Sequence, residues 1–197
     1  GTSYSGGHVL VLAATDRRIR AVVSQVPTIS GSTNASRRAT AETIAGMRQA
    51  FAADRAARLR GSAPTMVPNA AEVTDDDLAH AGDDLDSTVL GNDLRRWLRA
   101  TPPADLATLR NEVTLRTHEL YATYEPGRWI SQVAPTPLMM VCLDDDTITP
   151  TDEVLRAYAE AREPKHLTLL PGGHCDVYGT RRAEAAAAAR DFFVDHL

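Results

Sequence analysis

Three short runs dominated by apolar residues mark the chain, at residues 19–26, 137–143 and 166–170. Such runs are typical of strands in a parallel sheet that is covered by helices on both faces. Apolar positions also predict a buried helix over residues 8–14 and a final helix from about residue 181. The alternation of strands and helices therefore predicts an α/β fold.

A further helix is predicted between the second and third strands. Thr149 is a candidate N-cap, and Pro150 suits the first helical position because proline needs no hydrogen-bond partner there. The buried face of this helix would then consist of Val154, Leu155 and Tyr158.

The middle of the chain has a different character, with Ala- and Arg-rich stretches separated by Pro, Gly and Asp. Apolar stripes at helical spacing predict three helices there, at Ile44, Met47 and Phe51, at Leu94, Trp97 and Leu98, and at Leu106, Leu109 and Val113. We therefore predict three segments. Residues 1–30 and 131–197 form the α/β core, and residues 31–130 form an inserted helical cap.

Composition narrows the class of protein. With 197 residues, 43% hydrophobic residues and a net charge of −5, the chain suits an ordinary globular domain and offers no basic face for nucleic acid. No apolar run approaches the roughly 18 residues of a membrane span. Cys142 and Cys175 are expected to be free thiols in a reducing cytoplasm.

Neither a metal nor a cofactor is expected. The acidic runs at residues 75–77 and 83–86 lack the spacing of a calcium-binding loop, so solvated loops are the favoured interpretation. The expected partner is a small acyl substrate.

Candidate chemistry begins at the first residues, Gly1-Thr2-Ser3-Tyr4-Ser5. This pattern resembles a nucleophile elbow, the strand-to-helix turn that exposes a serine hydroxyl in α/β-hydrolases. Ser5 stands where the motif has its last glycine. Because the elbow needs strands before it, we expect the chain to be the C-terminal part of a larger enzyme. The strand over residues 19–26 should otherwise show an unpaired apolar edge, unless a homo-oligomer covers it.

A serine nucleophile needs a histidine base and a carboxylate that orients the histidine. His174 follows the last strand and two glycines, and three aspartates, Asp144 to Asp146, follow the strand before it. Ser, Asp and His thus occur in the order typical of this fold. Asp146 is favoured as the acid, but Asp144 stays open because spacing alone does not set the register.

Other candidates fit less well. Ser5 lies two residues from the apex of the elbow, and Asp176 lies too close to His174 along the chain and is expected to support its loop. The remaining histidines suit packing or solvated positions better than catalysis: His8, His80, His118 and His196.

An oxyanion hole needs two backbone N–H donors. The first is expected from Tyr4, the residue after the nucleophile, and the second from a loop that the sequence does not contain.

Residues 1–10 and 16–27, together with Asp146-Thr147-Ile148-Thr149-Pro150 and the loop 171–174, resemble a known family. The resemblance is to α/β-hydrolases of the dienelactone-hydrolase-like and Xaa-Pro-dipeptidyl-peptidase-like groups, including the polyketide transferase branch. It implies the C-terminal part of an α/β-hydrolase fold, with Ser3 as nucleophile, Asp146 as acid and His174 as base.

Three functions follow as expectations. The first is a cofactor-independent serine hydrolase that cleaves an ester, lactone or related acyl substrate; aminopeptidase activity is a lesser variant of it. The second is an acyl transferase, as the polyketide transferase resemblance implies. The third is an inactive, truncated fragment.

Overall fold

The computed structural model describes residues 1–69 and 92–197. These residues form two compact units, one built from residues 1–30 and 125–197 and the other from residues 31–124. The predicted segments 1–30, 31–130 and 131–197 stay predictions, because compactness alone does not locate an insertion.

The elements in chain order are α1 (Tyr4–Thr15), β1 (Val22–Gln25), α2 (Gly31–Arg38), α3 (Ala41–Leu59), β2 (Met66–Val67), α4 (Asn92–Ala100), α5 (Pro103–Leu106), β3 (Val113–Thr114), α6 (Leu115–Tyr121), a 3-10 helix (Pro126–Gln132), β4 (Leu138–Leu143), α7 (Thr151–Glu160), β5 (Lys165–Leu170), a second 3-10 helix (His174–Tyr178) and α8 (Arg182–His196).

The first unit contains a parallel sheet in the order β1-β4-β5. Alternate residues of β4 point to opposite faces, as the period of a strand requires. Leu138, Met140 and Cys142 pack with residues of α1 and α7, while Met139 and Val141 pack with residues of α8. The sheet therefore has helices on both faces, which confirms the predicted fold class.

One edge of this sheet leads into the elbow. The main-chain oxygen of Gly1 accepts a bond from Gln25 N at 2.9 Å, and Ser3 N donates to Gln25 O at 2.9 Å. Thr2 is thus bridged to Gln25 in parallel register. In the described part of the chain, this bridge is the only pairing on the outer edge of β1, and an apolar groove of about 480 Å³ runs along it.

The second unit contains α2 to α6 and the small antiparallel pair β2–β3. The helices predicted around Ile44 and Trp97 are confirmed as α3 and α4. The helix predicted through Leu106, Leu109 and Val113 is wrong. Here α5 ends at Leu106 and Leu109 is 44% exposed, while Val113 lies in β3, where it pairs with Val67 of β2 instead of continuing a helix.

Two further predictions have different outcomes. The helix after β4 exists, but it begins at Thr151 with Pro150 as its N-cap, so the prediction that Thr149 caps it is wrong. The prediction that Leu155 lies on the buried face of this helix is also wrong. Leu155 is 37% exposed, and Ala157 is buried there instead. The acidic runs 75–77 and 83–86 and His80 lie outside the described residues. Among the residues that are described, no helix is long and apolar enough to cross a membrane.

Candidate active site

Ser3 occupies the turn between the bridge residue Thr2 and helix α1, with φ 51° and ψ −119°. A positive φ is uncommon for a residue with a Cβ, and such a conformation costs about 1–3 kcal/mol. Hydrogen bonds from Ser3 N to Gln25 O and from Thr28 N to Ser3 O hold it in place. The strained turn raises the hydroxyl above the C-terminal edge of the sheet, as a nucleophile elbow does.

The glycine pattern of this turn has a steric explanation. A Cβ on Gly1 would overlap the main-chain oxygen of Ser5, so the first position of the motif needs glycine. The Ser5 side chain is exposed, and therefore a serine is tolerated where the motif has its last glycine.

The structure brings together the three side chains singled out from the sequence. Ser3 Oγ lies 3.0 Å from His174 Nε2, and His174 Nδ1 lies 2.8 Å from Asp146 Oδ2. His174 is 4% exposed and Asp146 is 5% exposed, so water competes little for these bonds. The arrangement can move a proton from a serine hydroxyl to an imidazole that a carboxylate orients.

Backbone geometry distinguishes the three aspartates that follow β4. Asp146 Oδ1 accepts hydrogen bonds from Ile148 N and Thr149 N, both at 2.8 Å, which leaves Oδ2 to face His174. Asp144 and Asp145 are exposed, and Asp144 Oδ1 accepts from Gly172 N at 2.9 Å. Of the three carboxylates, the structure therefore brings that of Asp146 to the histidine.

Thr149 belongs to the site, which the sequence analysis missed. Its hydroxyl lies 2.8 Å from Asp146 Oδ2, 3.1 Å from His174 Nδ1 and 3.0 Å from Val26 O, and the residue is 2% exposed. Val26 presents its carbonyl from a strained φ of 38°. Because the Thr149 hydroxyl bonds these groups, it does not cap α7. The sequence signal that could have indicated its role is its position between Asp146 and Pro150.

The loop that holds His174 is fixed by Asp176. Its Oδ2 accepts from Gly173 N at 2.8 Å and its Oδ1 accepts from Thr180 Oγ1 at 2.7 Å, so the predicted supporting role is confirmed. Gly172 has φ 126°, and a Cβ there would overlap the Asp176 carboxylate. This glycine lets the chain turn from β5 toward Ser3.

Tyr178 is a second residue that the sequence analysis missed. Its hydroxyl lies 2.8 Å from Thr2 Oγ1, and its ring lies 6.1 Å from that of His174. Burial raises the pKa of Tyr178, so the hydroxyl keeps its proton at neutral pH. No local pattern marks this residue, since Thr2 and Tyr178 are 176 positions apart.

The other predicted candidates lie in different surroundings. Tyr4 begins α1 directly after Ser3, and His8 packs edge-on against its ring at 5.1 Å. His118 Nε2 lies 3.1 Å from Pro68 O in the second unit, and the His196 ring packs against Phe192 at 4.5 Å.

Both cysteines are buried and free, as predicted. Burial, with a smaller contribution from the Asp146 charge, raises the pKa of Cys142 to about 11. In the ranges 1–69 and 92–197, no group of three or more His, Cys, Asp or Glu side chains is arranged to hold a metal ion.

The sheet is parallel and has helices on both faces, and a strained serine turn and the order Ser, Asp, His stand at the strand ends. The chain has an α/β-hydrolase fold, and solved structures agree. It superimposes on the α/β-hydrolase GrgF from Penicillium with a TM-score of 0.73 at 24% identity, covering 100% of this chain and 62% of that one. With the monoacylglycerol lipase from Paleococcus ferrophilus it superimposes with a TM-score of 0.64 at 15% identity, covering 100% of this chain and 67% of the lipase chain.

Sequence comparison gives more specific similarities. The chain is 31% identical over 180 residues to the quorum-quenching protein AidA from Acinetobacter baumannii, covering 90% of this chain and 54% of AidA. It is 28% identical over 183 residues to the polyketide transferase grgF from Penicillium, covering 91% and 55%. The chain thus spans about half the length of these curated relatives. No family model matches it.

Proposed function

We propose that the protein is a serine hydrolase that cleaves an ester, lactone or related acyl substrate through an acyl-enzyme on Ser3. The observation that supports this most directly is the continuous hydrogen-bonded series from Ser3 Oγ through His174 to Asp146, at 3.0 and 2.8 Å. Asp146 is the proposed acid and His174 the proposed base.

In the first half of the reaction, His174 Nε2 takes the proton from Ser3 Oγ as that oxygen attacks the substrate carbonyl. The carbonyl oxygen becomes an oxyanion, and the backbone N–H of Tyr4, at the positive end of the α1 dipole, donates to it. His174 then returns the proton to the leaving alcohol, and the acyl group stays on Ser3.

In the second half, His174 takes a proton from water, and the hydroxide oxygen attacks the acyl-enzyme. Collapse of this intermediate breaks the bond to Ser3 Oγ, which regains its proton from His174. Asp146 stays ionised throughout, and it stabilises the imidazolium by accepting from Nδ1.

The test is hydrolysis of a panel of esters and lactones by the full-length protein, with Ser3→Ala and Ser5→Ala as a matched pair. Ser3→Ala is expected to abolish turnover, while Ser5→Ala, an exposed site two residues away, should leave it unchanged. Retained turnover in Ser3→Ala would refute the proposal.

Acyl transfer is the second candidate, supported by the similarity to proteins named polyketide transferases. The acyl-enzyme would be the same, but an alcohol, amine or carrier-bound group would replace water in the second half. A product assay with competing alcohol and amine acceptors separates the two functions. Ester or amide products support transfer, whereas free acid alone under saturating acceptor supports hydrolysis.

A further inference from the structure

Two side-chain contacts join the serine elbow to the 3-10 helix that begins at His174. Ser3 Oγ lies 3.0 Å from His174 Nε2, and the hydroxyl oxygen of the preceding residue, Thr2, lies 2.8 Å from that of Tyr178. His174 and Tyr178 are the first and last residues of this helix. Two neighbouring residues of the elbow thus contact the two ends of one short helix.

The Thr2 hydroxyl is itself held in place from β1. Gln25 Nε2 donates to Thr2 Oγ1 at 3.1 Å, and the main chain of Thr2 is bridged to Gln25 in parallel register. A hydroxyl can accept and donate at once, so Thr2 Oγ1 also bonds the Tyr178 hydroxyl. The sheet therefore sets the position of the Thr2 hydroxyl, and this hydroxyl in turn sets that of Tyr178.

The Tyr178 ring carries this constraint to the imidazole. Its centroid lies 6.1 Å from that of the His174 ring, and the two ring planes are inclined by 66°. Aromatic rings prefer such edge-on contacts at centroid distances of about 4.5–7 Å. Because its hydroxyl is bonded to Thr2, the Tyr178 ring supports the imidazole from a fixed position.

This support matters most when Ser3 carries an acyl group. Ser3 then has no proton to donate, and the unprotonated His174 Nε2 has none either, so the hydrogen bond between them is lost. Asp146 Oδ2 at 2.8 Å and Thr149 Oγ1 at 3.1 Å both lie at Nδ1, on the other side of the ring. These two partners hold one end of the imidazole, and contact with Tyr178 restricts the swing of the other end.

From this geometry we infer that Thr2 and Tyr178 are positioning residues, which hold the His174 imidazole beside Ser3 while an acyl group occupies Ser3 Oγ. The inference rests on the proposed function, because only an acyl-enzyme on Ser3 removes the Ser3–His174 hydrogen bond. It predicts that the two residues contribute more to release of the acyl group than to its attachment.

The test separates these two steps in the full-length protein with 4-nitrophenyl dimethylcarbamate. In the first step, Ser3 Oγ bonds to the carbamoyl carbon, and 4-nitrophenol leaves with the serine proton. In the second step, water takes the carbamoyl group as dimethylcarbamic acid, and Ser3 regains its hydroxyl. Carbamoyl groups leave slowly because the nitrogen makes the carbonyl carbon less electrophilic. Absorbance of 4-nitrophenol follows the first step, and mass spectrometry of the Ser3 adduct follows the second.

Tyr178→Phe removes the hydroxyl and keeps the ring. It is expected to slow release of the carbamoyl group about fivefold to tenfold, in the range of a neutral hydrogen bond, and to leave carbamoylation within about twofold of wild type. Thr2→Val should have the same effect, and Thr2→Ser, which keeps the hydroxyl, should restore release. Tyr158→Phe is the matched control, because the Tyr158 hydroxyl bonds Lys165 O at 3.4 Å, and both steps should be unchanged.

The double variant Thr2→Val/Tyr178→Phe tests whether the two residues act as one unit. It should release the carbamoyl group no more slowly than Tyr178→Phe alone. Losses that multiply in the double variant would overturn the link between Thr2 and Tyr178.

A merely structural role gives a different result, since misfolding lowers both rates by the same factor. Equal slowing of the two steps in Tyr178→Phe, or release within twofold of wild type, would therefore overturn the inference. Failure of the proposed function is recognised separately, because wild type itself would then form no adduct on Ser3.

Discussion

The proposed mechanism needs His174 to carry its proton on Nδ1. Replacing Asp146 with asparagine should move that proton to Nε2. In the native site, Asp146 Oδ1 accepts from two backbone N–H groups at 2.8 Å each. An asparagine that placed its NH₂ there would leave two buried donors unpaired, at about 1–3 kcal/mol each. The amide oxygen therefore takes the Oδ1 position, and the NH₂ group faces His174.

The consequence lies at the other side of the ring. An NH₂ donor opposite Nδ1 forces that nitrogen to accept, so the proton of the neutral imidazole moves to Nε2. Nε2 lies 3.0 Å from Ser3 Oγ and can then no longer take its proton. The typical loss for such a tautomer change is about 10⁴-fold in kcat, or about 5.5 kcal/mol of activation free energy.

The assay is ester hydrolysis by Asp146→Asn beside Asp144→Asn, with thermal unfolding of both. Asp144→Asn keeps an oxygen for Gly172 N at an exposed site and should retain activity within about threefold. Asp146→Asn should lose activity and still fold, because its amide oxygen can keep both backbone N–H partners. More than a tenth of wild-type activity in Asp146→Asn, or an equal loss in Asp144→Asn, would refute this reasoning.

Two further predictions concern other parts of the structure. Thr149→Val should slow fluorophosphonate modification of Ser3 about tenfold, because it removes the hydroxyl whose one proton is donated to either Val26 O or Asp146 Oδ2, and Thr149→Ser should restore the rate. In the second unit, hydrogen bonds from Thr65 N and Arg58 lower the pKa of Asp54 from 3.8 to about 2. The ionised Asp54 therefore stabilises the fold above pH 4, and this contribution is lost as the pH falls from about 4 to about 2. Urea unfolding at pH 5 and pH 3 should therefore show a smaller acid-induced loss of stability in Asp54→Asn than in wild type, and equal losses would contradict the assignment.

The α/β core could be predicted from the sequence because its signals are local. β4 is buried at all six positions and stands out as an apolar run, and α8 follows from its apolar face. Ser3, His174 and the group Asp144 to Asp146 could be singled out because each lies within a few residues after a strand or bridge, and parallel strands bring their C-terminal ends to one edge.

The parts of the fold and of the site that could not be predicted depend on contacts between residues that no local sequence pattern indicates. The choice of Asp146 over Asp144 is set by which carboxylate receives the N–H groups of its own turn. The Thr149 hydroxyl lies beside His174 Nδ1 and does not cap a helix. Val113 forms a strand because Val67 pairs with it. Thr2 and Tyr178, whose hydroxyl oxygens lie 2.8 Å apart, are 176 positions apart along the chain.

The most direct test of the central claim is fluorophosphonate labelling of the protein, followed by mass spectrometry to locate the adduct. The proposed arrangement predicts a single adduct on Ser3, full labelling of the Ser5→Ala control and none of Ser3→Ala. An adduct on another residue, or equal labelling of the Ser3→Ala variant, would contradict the assignment of Ser3 as the nucleophile.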